Sequence, residues 1–244
     1  CGTKGAHIII RLPEGFENRG IATLHRGGHP FYGLPLGDDR FYFGPTETLF
    51  DGDARDIQAD NEDIEFLLGE ARHLLPGLDL KRGDIEQCWA GVRPLTSDPR
   101  YPLGARARTI HDLGPQGFDN VLAMTGGPVM SHRSAGRLML EQVRARIGAP
   151  RDATLSARKA EAPAKTRVDP VIEAVTREHA FDLNGVLSKR TGATWKSLVG
   201  HDAAMQTAQE IAPHLSWDAT RTNNEVFQFL ARQVKEFGVP AAPK

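Results

Sequence analysis

Cysteine is scarce in this chain, with Cys1 and Cys88 the two among 244 residues. Two thiols so far apart offer neither a disulfide framework nor metal-ligand spacing, and both suit a reducing compartment. Net charge is lacking too. Thirty Lys and Arg stand against 31 Asp and Glu, leaving −1 at pH 7, so no general basic field argues for nucleic acid or anionic lipid as the main partner. No apolar run reaches the roughly 18 residues of a membrane span, and the opening residues lack the regions of a signal peptide. A soluble protein is expected. The chain also contains no G-x-G-x-x-G, G-x-x-x-x-G-K-[ST], H-E-x-x-H or G-x-S-x-G, which removes the commonest phosphate-loop, zinc-protease and serine-hydrolase readings. No repeat of fixed period and no sustained heptad is present. There is no initial methionine: Cys1-Gly2-Thr3 leads directly into an apolar strand, and the sequence reads as the later part of a longer protein.

At this length the chain holds one large domain, or a medium one with a small companion. Apolar residues at 40% and charged residues at 25% are ordinary for a globular protein. The first third reads as strands. Ala6–Leu12, Ile21–Leu24, Pro30–Leu36 and Arg40–Gly44 are separated by turn residues, which predicts an antiparallel meander. From Asn61, Ile64, Leu67, Leu68, Ala71, Leu74 and Leu75 share a helical face that Pro76-Gly77 ends. Residues 84–92 return to strand. Tyr101–Asp112 is expected to be one half-exposed strand carrying Arg106, Arg108 and His111.

The stretch Asn120–Ile147 organises the rest. Val121–Met124 reads as a short buried strand, while Ala135, Leu138, Met139, Gln142 and Val143 recur at helical spacing. Between them lie Gly126 and Gly127. Two residues without Cβ let the backbone approach a flat ligand, and the helix start that follows offers unpaired N–H groups and a positive dipole end. A plain strand-to-helix turn is the alternative. Residues 151–167, rich in alanine and charge without apolar periodicity, read as a linker. Beyond it three helices are expected: one marked by Val171, Val175, His179, Leu183, Val186 and Leu187, then Ala203–Leu215 and Glu225–Phe237.

Few side chains stand out as carriers of chemistry. His7 lies within the apolar strand, where an imidazole either takes a proton from a substrate hydroxyl or is a core histidine. Arg93, after a strand and before Pro94, holds a guanidinium at the mouth of a sheet, for an anion or for a structural ion pair. Thr46 and Thr48 either cap their turn or face a ligand. His132 and Arg133 sit in the first turn after the glycines, where they reach a ligand or cover the strand.

Taken in order, four segments resemble the FAD-dependent glycerol-3-phosphate dehydrogenases of the D-amino-acid-oxidase-like flavoprotein superfamily. Lys4-Gly5-Ala6-His7-Ile8-Ile9 resembles their K-G-S-H-I-V, and Gly44-Pro45-Thr46-Glu47 their G-T-T-D. Ala90-Gly91-Val92-Arg93-Pro94-Leu95 resembles S-G-V-R-P-L, and Gly126-Gly127 with Arg133 resembles G-G-K-L-T-T-Y-R. The tail, with Arg190-Thr191 after Glu178 and then Leu215-Ser216-Trp217-Asp218, resembles their C-terminal domain. The resemblance implies an α+β fold: a β-rich substrate and flavin-facing part over residues 1–150, a linker at 151–168 and a helical C-terminal domain at 169–244, with the N-terminal dinucleotide-binding half absent. It implies FAD as cofactor, no metal, and glycerol 3-phosphate as substrate. His7 would be the base for the C2 hydroxyl, with Arg93 and Arg106 on the substrate's oxygens or phosphate. Gly126, Gly127, Pro128, Val129 and Met130 would lie against the isoalloxazine. It further implies a quinone acceptor, a cytoplasmic location at the inner face of the cell membrane, and admits a homodimer. Pro128 stands where the family has lysine, so a related hydroxy-acid or amine substrate stays open, as does a module that carries the fold without FAD.

Overall fold

The computed structural model describes residues 2–148 and 169–242. In chain order the elements are β1 (Gly2–Arg11), β2 (Ile21–Leu24), β3 (Pro30–Gly37), β4 (Arg40–Gly44), β5 (Thr48–Phe50), α1 (Asn61–Leu74), β6 (Ile85–Arg93), β7 (Thr96–Asp98) and β8 (Tyr101–Ala105). Then come β9 (Thr109–Asp112), β10 (Leu122–Thr125), α2 (His132–Ile147), α3 (Pro170–Thr176), α4 (His201–Leu215) and α5 (Ala219–Phe237). They fall into two compact units. The larger comprises residues 6–46, 58–90 and the part from 169 on; the smaller comprises 2–5, 47–57 and 91–148.

In the larger unit the expected meander is present, ordered β2-β3-β4-β1 with β6 also paired to β1. Register is set by apolar alternation: Ile8 faces Phe43 and Ile10 faces Phe41 across β1 and β4, and Leu34 faces Tyr42 across β3 and β4. Residues two apart share a face of a strand. Ala6, Ile8 and Ile10 therefore enter one core with Phe31, Phe41 and Phe43 and with Ile64, Leu67, Leu68 and Ala71 of α1. Each fully buried Ile or Leu of that helix contributes about 1.5–3 kcal/mol. Its start is a reciprocal capping box between Asp60 and Asp63. His7 and Ile9 belong to the opposite face. A second core joins the helical part through Leu183, Val186, Ile211, Val226 and Phe229.

In the smaller unit β1 pairs with β5, β7 with β8, and β9 with β10. The single strand expected over 101–112 is two strands broken at Arg106–Arg108. The reason is that the Arg106 carbonyl accepts the Gly127 amide of the glycine turn, and the Ala107 carbonyl the Thr96 hydroxyl, instead of serving a ladder. Leu122–Thr125 is a strand but is half-buried rather than buried. The helix α2 forms where the spacing predicts, yet none of its residues is buried. Leu138, Val143 and Ile147 are exposed along it. The single helix expected across Val171–Leu187 is also two pieces. His179 adopts a left-handed φ of 59°, and the Asp182 carboxylate accepts the amide of Gly185 at 2.5 Å to start a separate turn over Gly185–Arg190. The linker read at 151–168 lies outside the described residues.

Candidate functional site

In the smaller unit, Arg93 ends β6, and Pro94 removes the donor that a further ladder step needs. Its Nη1 donates to the Lys4 carbonyl at 2.9 Å, and the guanidinium lies over the bare Cα of Gly5, where a Cβ would come within 2.6 Å of Cζ. Arg106 Nη2 meets Glu47 Oε1 at 2.6 Å. Burial pushes the Arg93 guanidinium below its ordinary pKa, Arg106 pushes the same way, and Glu47 opposes both. Two cations thus share one carboxylate, a balance that draws an anion. A cavity of about 220 Å³ opens beside Arg93, lined also by Thr3, Thr96, Ser97, Asp98 and Tyr101.

The glycine turn is tied to the same segment. Gly126 N–H donates to the Pro94 carbonyl at 3.0 Å and Gly127 N–H to the Arg106 carbonyl at 2.9 Å. Both glycines have left-handed φ, 73° and 78°, and a Cβ on Gly126 would overlap the Ala107 carbonyl. So the pair serves close backbone packing. The structure brings together Arg93, Arg106 and the 126–130 turn. Val129 and Met130 open the helical turn before α2. Their side chains are 85% and 79% exposed, and the first N–H groups of a helix have no intrahelical acceptor.

Beneath this turn lies Arg108, expected from the sequence only as one position of a half-exposed strand. Its Nη2 donates to Ser131 Oγ at 2.6 Å and its Nη1 to Ser134 Oγ at 2.9 Å. The first turn of α2 contains no acidic residue, so the guanidinium adds to the positive dipole end. His132 turns back onto the Val129 carbonyl at 3.0 Å. His111 Nε2, Thr125 Oγ1 and Thr96 Oγ1 form a chain of 2.7 and 2.6 Å that ties β9 and β10 to β7.

His7 belongs to the larger unit. Its ring stacks on Trp89 at 4.7 Å with planes 7° apart, and Tyr42 meets it edge-on at 5.7 Å. Burial raises the Tyr42 phenol above its ordinary value, with Tyr32 acting in the same direction, so this neighbour stays uncharged near neutrality. Gly44 lies against the imidazole, where a Cβ would come within 2.8 Å of Cγ. Thr46 spends its hydroxyl on the Ala6 amide at 2.8 Å, which favours its local role. Among the described residues no group of three or more His, Cys, Asp or Glu is placed to hold a metal ion.

Comparison with known proteins gives this geometry a setting. The model of the FAD dependent oxidoreductase family matches residues 2–142. A glycerol-3-phosphate dehydrogenase of Synechocystis sp. is 27% identical over 149 residues, 58% of this chain and 26% of that protein. An alpha-glycerophosphate oxidase of Streptococcus pyogenes is 36% identical over 98 residues, 39% of this chain and 16% of that protein. The fold matches the crystal structure of the glycerol-3-phosphate dehydrogenase from Bacillus halodurans complexed with FAD, at a TM-score of 0.74 and 15% identity, over 99% of this chain and 58% of that one. The chain thus spans about a quarter or less of the curated relatives it matches.

FAD is the family's cofactor, and the 126–130 turn fits part of it: exposed apolar side chains and the guanidinium held at Ser131 suit the edge of a ring that gains negative charge on reduction. One expectation is corrected. A family match that opens at residue 2 conflicts with a domain whose dinucleotide-binding half is absent, because the strands at the start of this chain already lie within the family domain. Matched over more than half of its 244 residues, the chain belongs to the FAD dependent oxidoreductase family.

Proposed function

We propose that this chain takes part in the FAD-dependent oxidation of sn-glycerol 3-phosphate to dihydroxyacetone phosphate. Arg93, with Arg106 and Glu47 beside it, grips the phosphate or its neighbouring oxygens in the forked geometry that a guanidinium offers. His7 takes the proton of the C2 hydroxyl as the C2–H bond breaks. Gly126, Gly127, Pro128, Val129 and Met130 hold the edge of the isoalloxazine. FAD, when bound, supplies the acceptor for the hydride that leaves C2. A quinone then takes the electrons. A cytoplasmic location at the inner face of the membrane, and a homodimer, complete the reading.

One observation carries it: the amides of the glycine turn are bonded to the carbonyls of Pro94 and Arg106. The residues assigned to substrate and those assigned to flavin are therefore one covalently and hydrogen-bonded block. A second reading has its own support. Glu47 already engages Arg106 at 2.6 Å, and Pro128 brings no charge, so the net cation is closer to one than two; a small hydroxy acid, with its single carboxylate, suits that balance.

The experiment is oxidation of glycerol 3-phosphate with an artificial dye acceptor by His7→Ala and Arg93→Ala enzymes, with glycerate and lactate as competing substrates. Each loss is expected to lower turnover by about two orders of magnitude, as for a missing acid–base group or charged anchor. Unchanged turnover in both removes them from the site, and a preference for the hydroxy acids selects the second reading. A chain that quenches no flavin fluorescence when FAD is added counts against any flavin role.

A further inference from the structure

We propose that Trp89 is the positioning residue for His7, and that the turn at residues 192–196 of the helical part locks Trp89 in place. The inference rests on the reading of His7 as the base, and every residue in it lies in the larger unit.

The contacts form a directed series. His7 and Trp89 are stacked at 4.7 Å with planes 7° apart. The edge of Trp195 abuts Trp89 at 5.1 Å and 89°, and Phe237 abuts Trp195 at 5.1 Å and 83°. Tyr42 closes the remaining side, edge-on to both His7 and Trp89 at 5.7 and 5.8 Å. These separations and angles are those that the ring quadrupoles favour, worth about 0.5–1.5 kcal/mol per pair beyond burial.

What fixes Trp195 is backbone bonding from buried polar side chains. Arg40, 4% exposed, donates through Nη1 to the Trp195 carbonyl at 3.0 Å and also to the Lys196 carbonyl. Gln87, 2% exposed, donates to the Thr194 carbonyl at 3.0 Å. Gln87 and Trp89 are two apart on β6, so they share the face that meets this turn. A buried guanidinium and a buried amide nitrogen that donate to carbonyls hold the turn, since leaving either donor unpaired costs about 1–3 kcal/mol or more.

An imidazole has two rotatable bonds, and a base must keep its lone pair aimed at one proton. Misplacement by about 1 Å is enough to cost on the order of 10²-fold in rate. Stacking between a held indole and the Gly44 main chain removes that freedom before substrate arrives. The helical part thereby acts on the chemistry without touching substrate.

The test uses the full chain with ¹³C-labelled histidine, the His7 ring resonance being identified by its loss in His7→Gln. It is expected to lie upfield under the Trp89 ring current, to stay upfield in Trp89→Phe, to lose the shift in Trp89→Leu, and to weaken in Trp195→Leu. In dye-linked turnover Trp89→Leu is expected to lower kcat at least about tenfold with KM kept, and Trp89→Phe to restore it. A folded Trp89→Leu with the His7 resonance or kcat unmoved overturns the proposal. If that variant does not fold, an unmoved His7 resonance in Trp195→Leu overturns it instead. A His7 resonance that responds while His7→Gln turns over normally sinks the reading of His7 as base and leaves the coupling standing.

Discussion

The guanidinium of Arg93 lies across the Cα of Gly5, so that the glycine's missing side chain is the space the arginine fills. A methyl group there collides with the far end of a flexible side chain, which moves aside, and not with main chain. Gly5→Ala is accordingly expected to raise KM at least about tenfold through the displaced charge, while stability changes by less than about 1 kcal/mol. Steady-state kinetics beside a thermal melt would check it; equal loss of Tm and activity would count against this account.

Gly126 contrasts with Gly5. Its added Cβ meets the Ala107 carbonyl, which cannot turn away, at a φ of 73° that side chains resist. Gly126→Ala should destabilise the chain by about 2–4 kcal/mol. Gly127→Ala, whose nearest neighbour is Arg108 Nε at 3.1 Å, should cost less. Urea melts of both variants give the order.

Arg108→Ala removes both clasps on the start of α2, at Ser131 and Ser134. Amides of residues 131–135 are expected to exchange at least about tenfold faster, a loss of about 1–2 kcal/mol of local protection. If the proposed flavin site is right, the loaded enzyme's flavin should also become harder to reduce, since the substitution takes a cation from beneath the 126–130 turn. Hydrogen exchange and a spectroelectrochemical titration measure the two effects separately.

Acid stability should depend on Glu70, which is 2% exposed on α1 and bonded to Arg26 at 2.7 Å. Burial acts to raise its pKa, but the Arg26 hydrogen bonds outweigh it and the carboxyl is held below its ordinary 4.5. The sign follows: a depressed folded value gives stability present in full above about 4.5 and lost as pH falls through the lower folded value. Glu70→Gln should lose about 1–3 kcal/mol near neutrality, and its stability should fall less steeply on acidification. Melts from pH 7 to 3 would show whether the two curves converge.

The exposed stripe of α2 makes a further prediction. Leu138, Val143 and Ile147 are 43%, 38% and 70% exposed, and Val143 and Ile147 line a groove of about 840 Å³ with Leu122 and Met139. Replacing the three exposed residues by serine should lower binding of a hydrophobic dye and leave the melt within about 1 kcal/mol, because they bury little.

Much of this was legible in the sequence where period and punctuation agree. The meander, α1 with its apolar face, α4 and the glycine turn all stand near where spacing places them. Failures cluster where polar groups decide. Nothing in the period of residues 101–112 says that the Arg106 carbonyl is taken by the Gly127 amide, so the strand's break was invisible. Similarly, the apolar rhythm of residues 171–187 runs through His179, whose left-handed backbone ends the helix. Arg108 reads in the sequence only as one position of a strand, because its partners Ser131 and Ser134 lie 23 and 26 positions further on. Nothing in the sequence gives Trp89 a role, because its meaning depends on a residue 106 positions further on, Trp195.

The thiol of Cys88 donates to the Gly238 carbonyl at 3.1 Å, and burial pushes its pKa up to about 11. Nearby, Arg82 donates to the Pro240 carbonyl at 2.7 Å. A thiol so held is expected to react slowly, since the thiolate is the nucleophile and residues 238–240 are bonded across it. The rate at which a disulfide reagent consumes Cys88 would time how often the carboxyl-terminal strap lets go of the sheet.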